Sequence, residues 1–91
     1  MKLVRWIDLN LYGNLTYHLS YREVPLARIK KLYTGSWSWQ TFNLVGLVGL
    51  RFACPYLTGQ AGTLGEAMHV SGSIITSYGF RILTDKETNL L

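Results

Sequence analysis

An α+β domain built on a mainly antiparallel sheet is the fold class that this 91-residue sequence predicts. Three observations favour it: residues 3–22 alternate between apolar and polar side chains, later segments alternate in the same way, and two short segments carry helix signals. Short strands mixed with short helices are typical of α+β domains. We expect about four to five strands, two short helices and one domain over residues 1–84, with residues 85–91 as a mobile tail.

A β-hairpin is predicted over residues 3–22. Its second half alternates strictly, and its first half carries four aliphatic side chains of one parity: Leu3, Ile7, Leu9 and Leu11. A three-residue loop at residues 12–14 sets Ile7 opposite Leu19 and makes one face of the hairpin apolar. A two-residue loop at residues 13–14 mixes apolar and polar side chains on each face, so we expect the longer loop.

The segment from Glu23 to Tyr33 predicts a short helix. Pro25 is compatible with the first helical turn, and Glu23 complements the positive end of the helix dipole. Apolar side chains then recur at helical spacing: Leu26, Ile29, Leu32 and Tyr33. Gly35 supplies a helix stop.

Strand-like alternation returns at residues 36–42, where Trp37 and Trp39 alternate with polar neighbours. Residues 44–50, with the sequence LVGLVGL, predict a buried strand that continues or bends at its glycines. Pro55 ends this strand because it restricts the residue before it. Residues 56–62 are expected to form a loop.

A second helix and a last strand are predicted near the C-terminus. Thr63 and Glu66 have the spacing of a capping box, which opens a helix that runs through Val70. The Ser-Gly-Ser sequence at residues 71–73 is expected to end it. Five residues of one parity then predict a strand over residues 74–82: Ile74, Thr76, Tyr78, Phe80 and Ile82.

Charge is distributed unevenly along the chain. The first 35 residues hold six cations and two anions, whereas residues 36–84 hold only three charged side chains, Arg51, Glu66 and Arg81. The net charge of +4 therefore lies in the N-terminal third. Because ordinary domains carry about 25% charged residues, the charge-poor segment predicts either a polar, uncharged surface or a surface covered by a partner.

Cellular location is inferred from the cysteine content and the N-terminus. The single cysteine, Cys54, excludes an intrachain disulfide and with it the disulfide-stapled secreted class. Arg5 and Asp8 interrupt the apolar core that a signal peptide needs. The longest uncharged run, residues 32–50, has 19 residues but is rich in Gly, Ser and Thr, whereas a membrane-spanning helix needs about 18–20 predominantly apolar residues. We expect a cytoplasmic protein without a transmembrane helix, with peripheral membrane contact left open.

No catalytic residue, metal ligand or cofactor motif is predicted. Cys54, His18 and His69 lack the spacing of a zinc site or of a nucleophile–base pair. Asp8 lies opposite His18 in the predicted hairpin register, and a solvated cross-strand pair explains this placement sufficiently. The glycines of residues 59–65 lack the lysine and hydroxyl group that complete a phosphate-binding loop. The sequence therefore favours a protein without enzymatic activity.

The leading functional hypothesis is a small protein that acts by contact with other protein chains, as an assembly subunit, a homo-oligomer, or an inhibitor or adaptor. Trp37 and Trp39 share one side of their predicted strand, and tryptophan is over-represented among binding hot spots. Packing of both rings in the core is the alternative explanation. The candidate interface residues are Trp37, Trp39, Phe42 and Tyr78.

The alternative hypothesis is a small basic nucleic-acid-binding protein. Cations neutralise phosphates and aromatic rings stack on bases, and the N-terminal third contains both residue types. Tyr17 and Tyr21 fall on the apolar face of the predicted hairpin, so we expect them in the core. The remaining candidates are Lys2, Arg5, Trp6, Arg22, Arg28, Lys30 and Lys31. No helix-turn-helix, zinc-finger or RNP motif accompanies them, and a solvated basic face explains them equally well.

Overall fold

The structure is a computed structural model that describes residues 2–9, 15–42 and 56–83. These residues form six strands and one helix: β1 (Lys2–Asp8), β2 (Thr16–Tyr21), β3 (Val24–Lys31), β4 (Trp37–Thr41), β5 (Thr58–Ala61), α1 (Leu64–Thr76) and β6 (Phe80–Ile82). The strands form one sheet in the order β5-β4-β3-β2-β1-β6. Neighbouring strands are antiparallel except β1 and β6, which are parallel.

The domain is therefore small and mainly sheet, and the predicted α+β class is compatible with it. The numbers of elements differ from the prediction, since the described residues contain six strands and one helix. The sheet is also mixed, because β6 adds alongside β1 in parallel. The crossover through α1 that joins β5 to β6 accounts for this edge strand.

The predicted β-hairpin is present, but its register is shifted by one residue. Trp6 pairs with Leu19 and Ile7 pairs with His18, where the sequence predicted Ile7 opposite Leu19. A one-residue shift moves every side chain of β1 to the other face of the sheet. Val4 and Trp6 therefore share the face of buried Leu19, and Ile7 lies on the opposite face.

The helix predicted from Glu23 to Tyr33 is wrong, because this segment forms strand β3. Arg22 and Glu23 make a tight turn with positive φ angles of 50° and 69°, the geometry of the two-residue turns that join antiparallel strands. A register shift where β2 meets β3 lies next to Pro25, which pairs with Ser20, and prolines within sheets are found at such irregularities. Pairing with β2 and β4 on both sides overrides the helical periodicity.

Strand β4 confirms the alternation predicted for residues 36–42. The loop predicted over residues 56–62 is wrong in its centre, because Thr58–Ala61 pairs with β4 as strand β5. Thr41 Oγ1 also accepts a hydrogen bond of 3.1 Å from the Leu57 N–H, which ties the approach to β5 onto β4. The strand predicted for residues 44–50, Pro55 and the tail predicted for residues 85–91 lie outside the described residues.

Helix α1 begins where the capping box predicts. The Thr63 hydroxyl accepts from the Glu66 N–H at 3.1 Å, and the Glu66 carboxylate accepts from the Gly62 N–H at 3.2 Å. The helix end predicted after Val70 is wrong, because α1 continues to Thr76 and the last strand is shortened to Phe80–Ile82. Ser71 and Gly72 are buried against the sheet, and the Ser71 hydroxyl donates to the Ala67 carbonyl at 2.7 Å.

The core lies between α1 and one face of the sheet, which we call the inner face; the opposite side is the outer face. Ala67 and Ile75 of α1 are fully buried there. One core cluster surrounds Ile75 and contains Val4, Leu19, Leu26, Ala27 and Phe80. A second cluster surrounds Ala67 and contains Ile29, Trp37 and Ala61. Tyr17 and Tyr21 pack against these clusters, as the sequence predicts.

Candidate binding face

The outer face is the side of the sheet that carries no helix among the described residues. Register alone assigns its side chains, because directly paired residues share a face. From β1 to β5 the paired rows are Arg5–Ser20–Pro25, Ile7–His18–Arg28–Gln40–Thr58 and Thr16–Lys30–Ser38–Gln60. The face therefore carries aliphatic side chains and Arg5 at β1, and polar side chains with cations from β3 onward.

A wide groove of about 570 Å³ runs along β1 on this face. Its apolar lining includes Leu3, Ile7, Leu9 and Leu83. Leu3 is 46% exposed and Ile7 is 38% exposed. Arg5, Arg22 and Glu23 contribute the charged side chains of the lining. We call this feature the outer groove. It combines exposed aliphatic surface with more positive than negative charge.

A smaller, polar recess of about 130 Å³ lies on β3 and β4. Four side chains line it: Arg28, Lys30, Ser38 and Gln40. They come from two adjacent antiparallel pairs, Arg28–Gln40 and Lys30–Ser38, and so form a square on the outer face. We call this feature the β3–β4 recess. Its lining contains two cations and two neutral hydrogen-bonding groups, and no carboxylate.

Hydrogen bonds hold Arg28 in a defined position. When the Gln40 amide is assigned so that its oxygen faces Arg28, that oxygen accepts from Arg28 Nη2 at 2.7 Å and from Nε at 3.1 Å, and its nitrogen donates to the Tyr56 hydroxyl at 3.1 Å. The Arg28 guanidinium also lies 5.4 Å from the centre of the Phe42 ring, within the range of a cation–π interaction. These contacts orient the guanidinium before any ligand arrives.

His18 lines the outer groove and lies next to the β3–β4 recess, paired with Ile7 on β1 and with Arg28 on β3. Partial burial lowers the pKa of His18 below its ordinary value, and the positive charge of Arg28 lowers it further. The neutral imidazole is therefore favoured near neutral pH.

The seven nucleic-acid candidates are divided between different surfaces. Arg5, Arg28 and Lys30 share the outer face. Trp6 lies on the inner face and packs against both core clusters. Lys31 pairs with Trp37 on the inner face, and its amine lies 5.7 Å from the centre of the Trp37 ring. Lys2 pairs with Phe80 of β6. Arg22 lies in the β2–β3 turn beside the Tyr21 ring. Arg5, Arg28 and Lys30 thus share the outer face, and Arg22 lines the outer groove from the turn.

The candidate interface residues lie mainly against the core. Trp37 is 8% exposed and packs in the Ala67 cluster. Trp39 is half-buried on the same inner face, as strand alternation predicts. Tyr78 is half-buried against the Ile75 cluster, and Phe42 is half-buried beside Arg28. Packing accounts for the burial of Trp37 within this chain.

The remaining predicted contacts have different outcomes. The cross-strand pair of Asp8 with His18 is wrong, because Asp8 pairs with Tyr17 in the observed register. Cys54 lies outside the described residues.

Within residues 2–9, 15–42 and 56–83, no group of three His, Cys, Asp or Glu side chains could hold a metal ion. In that same part of the chain, no helix has the length and apolarity needed to cross a membrane.

No family model, curated protein or solved structure matches this chain.

Sequence reasoning missed the outer groove and the β3–β4 recess. The sequence pattern predicts Leu3, Ile7 and Leu9 on the apolar face of the hairpin, with Leu19, because they belong to the larger apolar set of β1. The available signal was that both parities of β1 are apolar, since Val4 and Trp6 occupy the other one. Ser38 and Gln40 lie beside Arg28 and Lys30 because β3 is a strand that pairs with β4. The helix predicted for this segment conceals that arrangement.

Proposed function

We propose that the protein is a non-enzymatic binding protein that contacts another protein chain through the outer groove. The observation that carries the proposal is the exposure of Leu3 and Ile7 on a sheet face with no helix among the described residues. Exposed aliphatic residues that form one surface with the half-buried Leu9 and Leu83 are typical of interaction sites.

Charge favours an acidic partner. Arg5 and Arg22 line the groove, against the single carboxylate of Glu23. The chain as a whole carries a net charge of +4. An extended or helical segment with aliphatic side chains flanked by Asp or Glu would fill the apolar part and pair with these cations. Self-association through the same groove would bring two surfaces of net positive charge together, because a two-fold contact uses the same patch on both copies.

A matched pair of substitutions tests the groove. Ile7 is 38% exposed inside it, and Leu57 is 39% exposed outside it. We expect Ile7→Thr to lower the fluorescence of an environment-sensitive apolar dye and to weaken binding of a peptide of alternating leucine and glutamate. Leu57→Thr should change neither, because it removes similar apolar surface elsewhere.

Circular dichroism melting must show that both variants fold as the parent does. Sedimentation of the full chain at micromolar concentration measures self-association directly. A parent protein that binds neither dye nor peptide and sediments as a monomer would contradict the proposed groove function.

A second candidate function is nucleic-acid binding, and one observation favours it. Arg5, Arg28 and Lys30 share the outer face beside neutral hydrogen-bonding residues. The affinity for a single-stranded oligonucleotide should then fall steeply as salt concentration rises. The double substitution of Arg28 and Lys30 by Ala should weaken that binding, and salt-insensitive binding would eliminate this candidate.

A further inference from the structure

We propose that the β3–β4 recess is an oxyanion site that takes a single phosphate group. This site is distinct from the outer groove, and the inference does not depend on the proposed protein contact. Its four lining residues are Arg28, Lys30, Ser38 and Gln40. A phosphate group is small enough to enter a recess of about 130 Å³.

The donor chemistry of the recess matches a phosphate. Arg28 presents a planar fork of N–H donors and Lys30 presents an ammonium, the two side chains that bind phosphate most often. Ser38 and the Gln40 amide add neutral polar groups. No carboxylate lines the recess to compete for the two cations or to repel an anion.

Preorganisation of Arg28 strengthens the assignment. Gln40 takes two of the five guanidinium N–H donors. Three donors are therefore not used by Gln40, and the guanidinium plane is fixed by the Phe42 ring and by the amide. Tyr56 holds that amide in turn through its hydroxyl group. An arginine oriented in advance loses less side-chain entropy when an anion binds.

Lys30 and Lys31 provide a matched pair for the test. They are consecutive, both exposed, and equal in charge. Lys30 pairs with Ser38 in the recess, whereas Lys31 pairs with Trp37 on the other face of the same strand. Any effect of bulk charge is the same for the two residues, so a difference between them reports on the recess.

The experiment is an NMR titration of the full chain with inorganic phosphate, with chloride at equal ionic strength as reference. We expect amide shifts centred on Arg28, Lys30, Ser38 and Gln40. Lys30→Gln should weaken phosphate binding by about threefold and Arg28→Gln by roughly tenfold. Lys31→Gln should leave the affinity unchanged.

His18 provides a second, independent readout. Arg28 is its cross-strand neighbour on β3, Ile7 faces it on β1, and Arg5, Arg22 and Glu23 share its groove. A bound phosphate offsets the charge of Arg28, so the pKa of His18 should rise when phosphate is added. In Arg28→Gln, where phosphate binds more weakly, the same addition should raise that pKa less than in the parent.

A titration with a short oligothymidylate identifies the source of the phosphate. A short oligothymidylate that binds more tightly than phosphate, with a salt slope reduced by about 0.7 in Lys30→Gln, indicates a nucleic-acid backbone. Equal affinities for oligothymidylate and phosphate indicate a small phosphorylated molecule. Both results support the site.

The proposal is overturned by any of three results. Acetate at the same ionic strength could produce the same shifts as phosphate, which would make the recess a general anion surface. Lys30→Gln and Lys31→Gln could weaken phosphate binding equally, which would show that the net charge of the protein, and not the recess, causes the binding. The shifts could also map away from β3 and β4.

Discussion

At the scale of single residues, close contacts on the inner face decide which substitutions the domain tolerates. Trp39 pairs with Gly59 on the adjacent strand. A Cβ atom at Gly59 would lie 2.6–2.8 Å from three atoms of the Trp39 indole, Cζ2, Cε2 and Nε1. The indole therefore covers the backbone of β5, and only glycine leaves room for it.

Gly59→Ala should destabilise the protein by about 1–3 kcal/mol, because the Trp39 ring must move out of its packed position. Urea unfolding measures the change. Gly65→Ala is the control: nothing lies within 4 Å of its Cβ position, and it is in the helix. That change should be neutral or stabilising by up to about 1 kcal/mol. Equal effects of the two substitutions would contradict the contact.

The stability of the protein should depend on pH through His18. Its pKa is lower in the folded chain than in the unfolded chain, through burial and then through Arg28. The unfolded state therefore binds more protons, so the free energy of unfolding rises with pH. This contribution is present above the unfolded pKa of about 6.5 and is lost as the pH falls through the lower folded value.

Urea unfolding of the parent and of His18→Gln at several pH values isolates the contribution of His18. The parent should lose more stability than the variant as the pH falls from 8 to 5, values chosen to bracket a pKa of about 6.5. In an NMR titration, Arg28→Gln should raise the pKa of His18. A pKa of His18 that does not respond to Arg28→Gln would exclude Arg28 as a cause.

At the scale of elements, capping residues were predictable and the β3 strand was not. Thr63 and Glu66 satisfy backbone N–H groups within four residues, so the start of α1 is a local property. Strand β3 depends on partners that the local sequence does not contain, namely β2 and β4. Its apolar residues fit a helical stripe and a bulged strand equally well, and pairing decides between them.

Removing the cap should weaken the whole domain through α1. Thr63→Ala should lower the free energy of unfolding by about 1 kcal/mol, since the Glu66 N–H loses its acceptor. Thr63→Ser keeps the hydroxyl and should restore most of the loss. Thermal melting separates the three proteins. A Thr63→Ser variant as unstable as Thr63→Ala would show that the hydroxyl is not what matters.

The exposed side of α1 shows how part of the charge-poor segment forms a polar surface without many charged residues. His69, Ser73, Thr76 and Ser77 are exposed. Ser73 and Thr76 turn their hydroxyl groups onto carbonyls of their own helix, at 2.6 and 3.0 Å. Apart from Glu66 in the first turn, hydroxyl and imidazole groups rather than charges thus contact solvent on this element. A charge-poor sequence does not by itself require a covering partner.

At the scale of the whole molecule, the pairing register of β1 decides which surface meets the helix. The observed register directs Val4 and Trp6 inward and Leu3 and Ile7 outward. The predicted register would have buried Ile7 against Leu19. This register also creates the outer groove. The groove forms because the larger apolar set of β1 faces away from α1.

Two alanine substitutions distinguish the registers. Leu19 is fully buried, so Leu19→Ala should lower stability by about 2–5 kcal/mol. Ile7 is on the outer face and partly exposed, so Ile7→Ala should cost about 1 kcal/mol or less. Urea unfolding of both variants gives the comparison. Similar large losses would mean that Ile7 is buried and would favour the register that the sequence predicted.

The sequence by itself determined the features that depend on neighbours along the chain: the hairpin, the Trp37–Thr41 strand, the capping box and the cationic N-terminal third. Only the tertiary structure decided the hairpin register, the strand identity of β3 and the faces on which Arg28, Lys30 and Ile7 lie. The physical reason is that a strand completes its hydrogen bonds with distant segments, and a shift of one residue exchanges its two faces. The candidate binding face consists of such side chains, so it could be recognised only after the sheet was assembled.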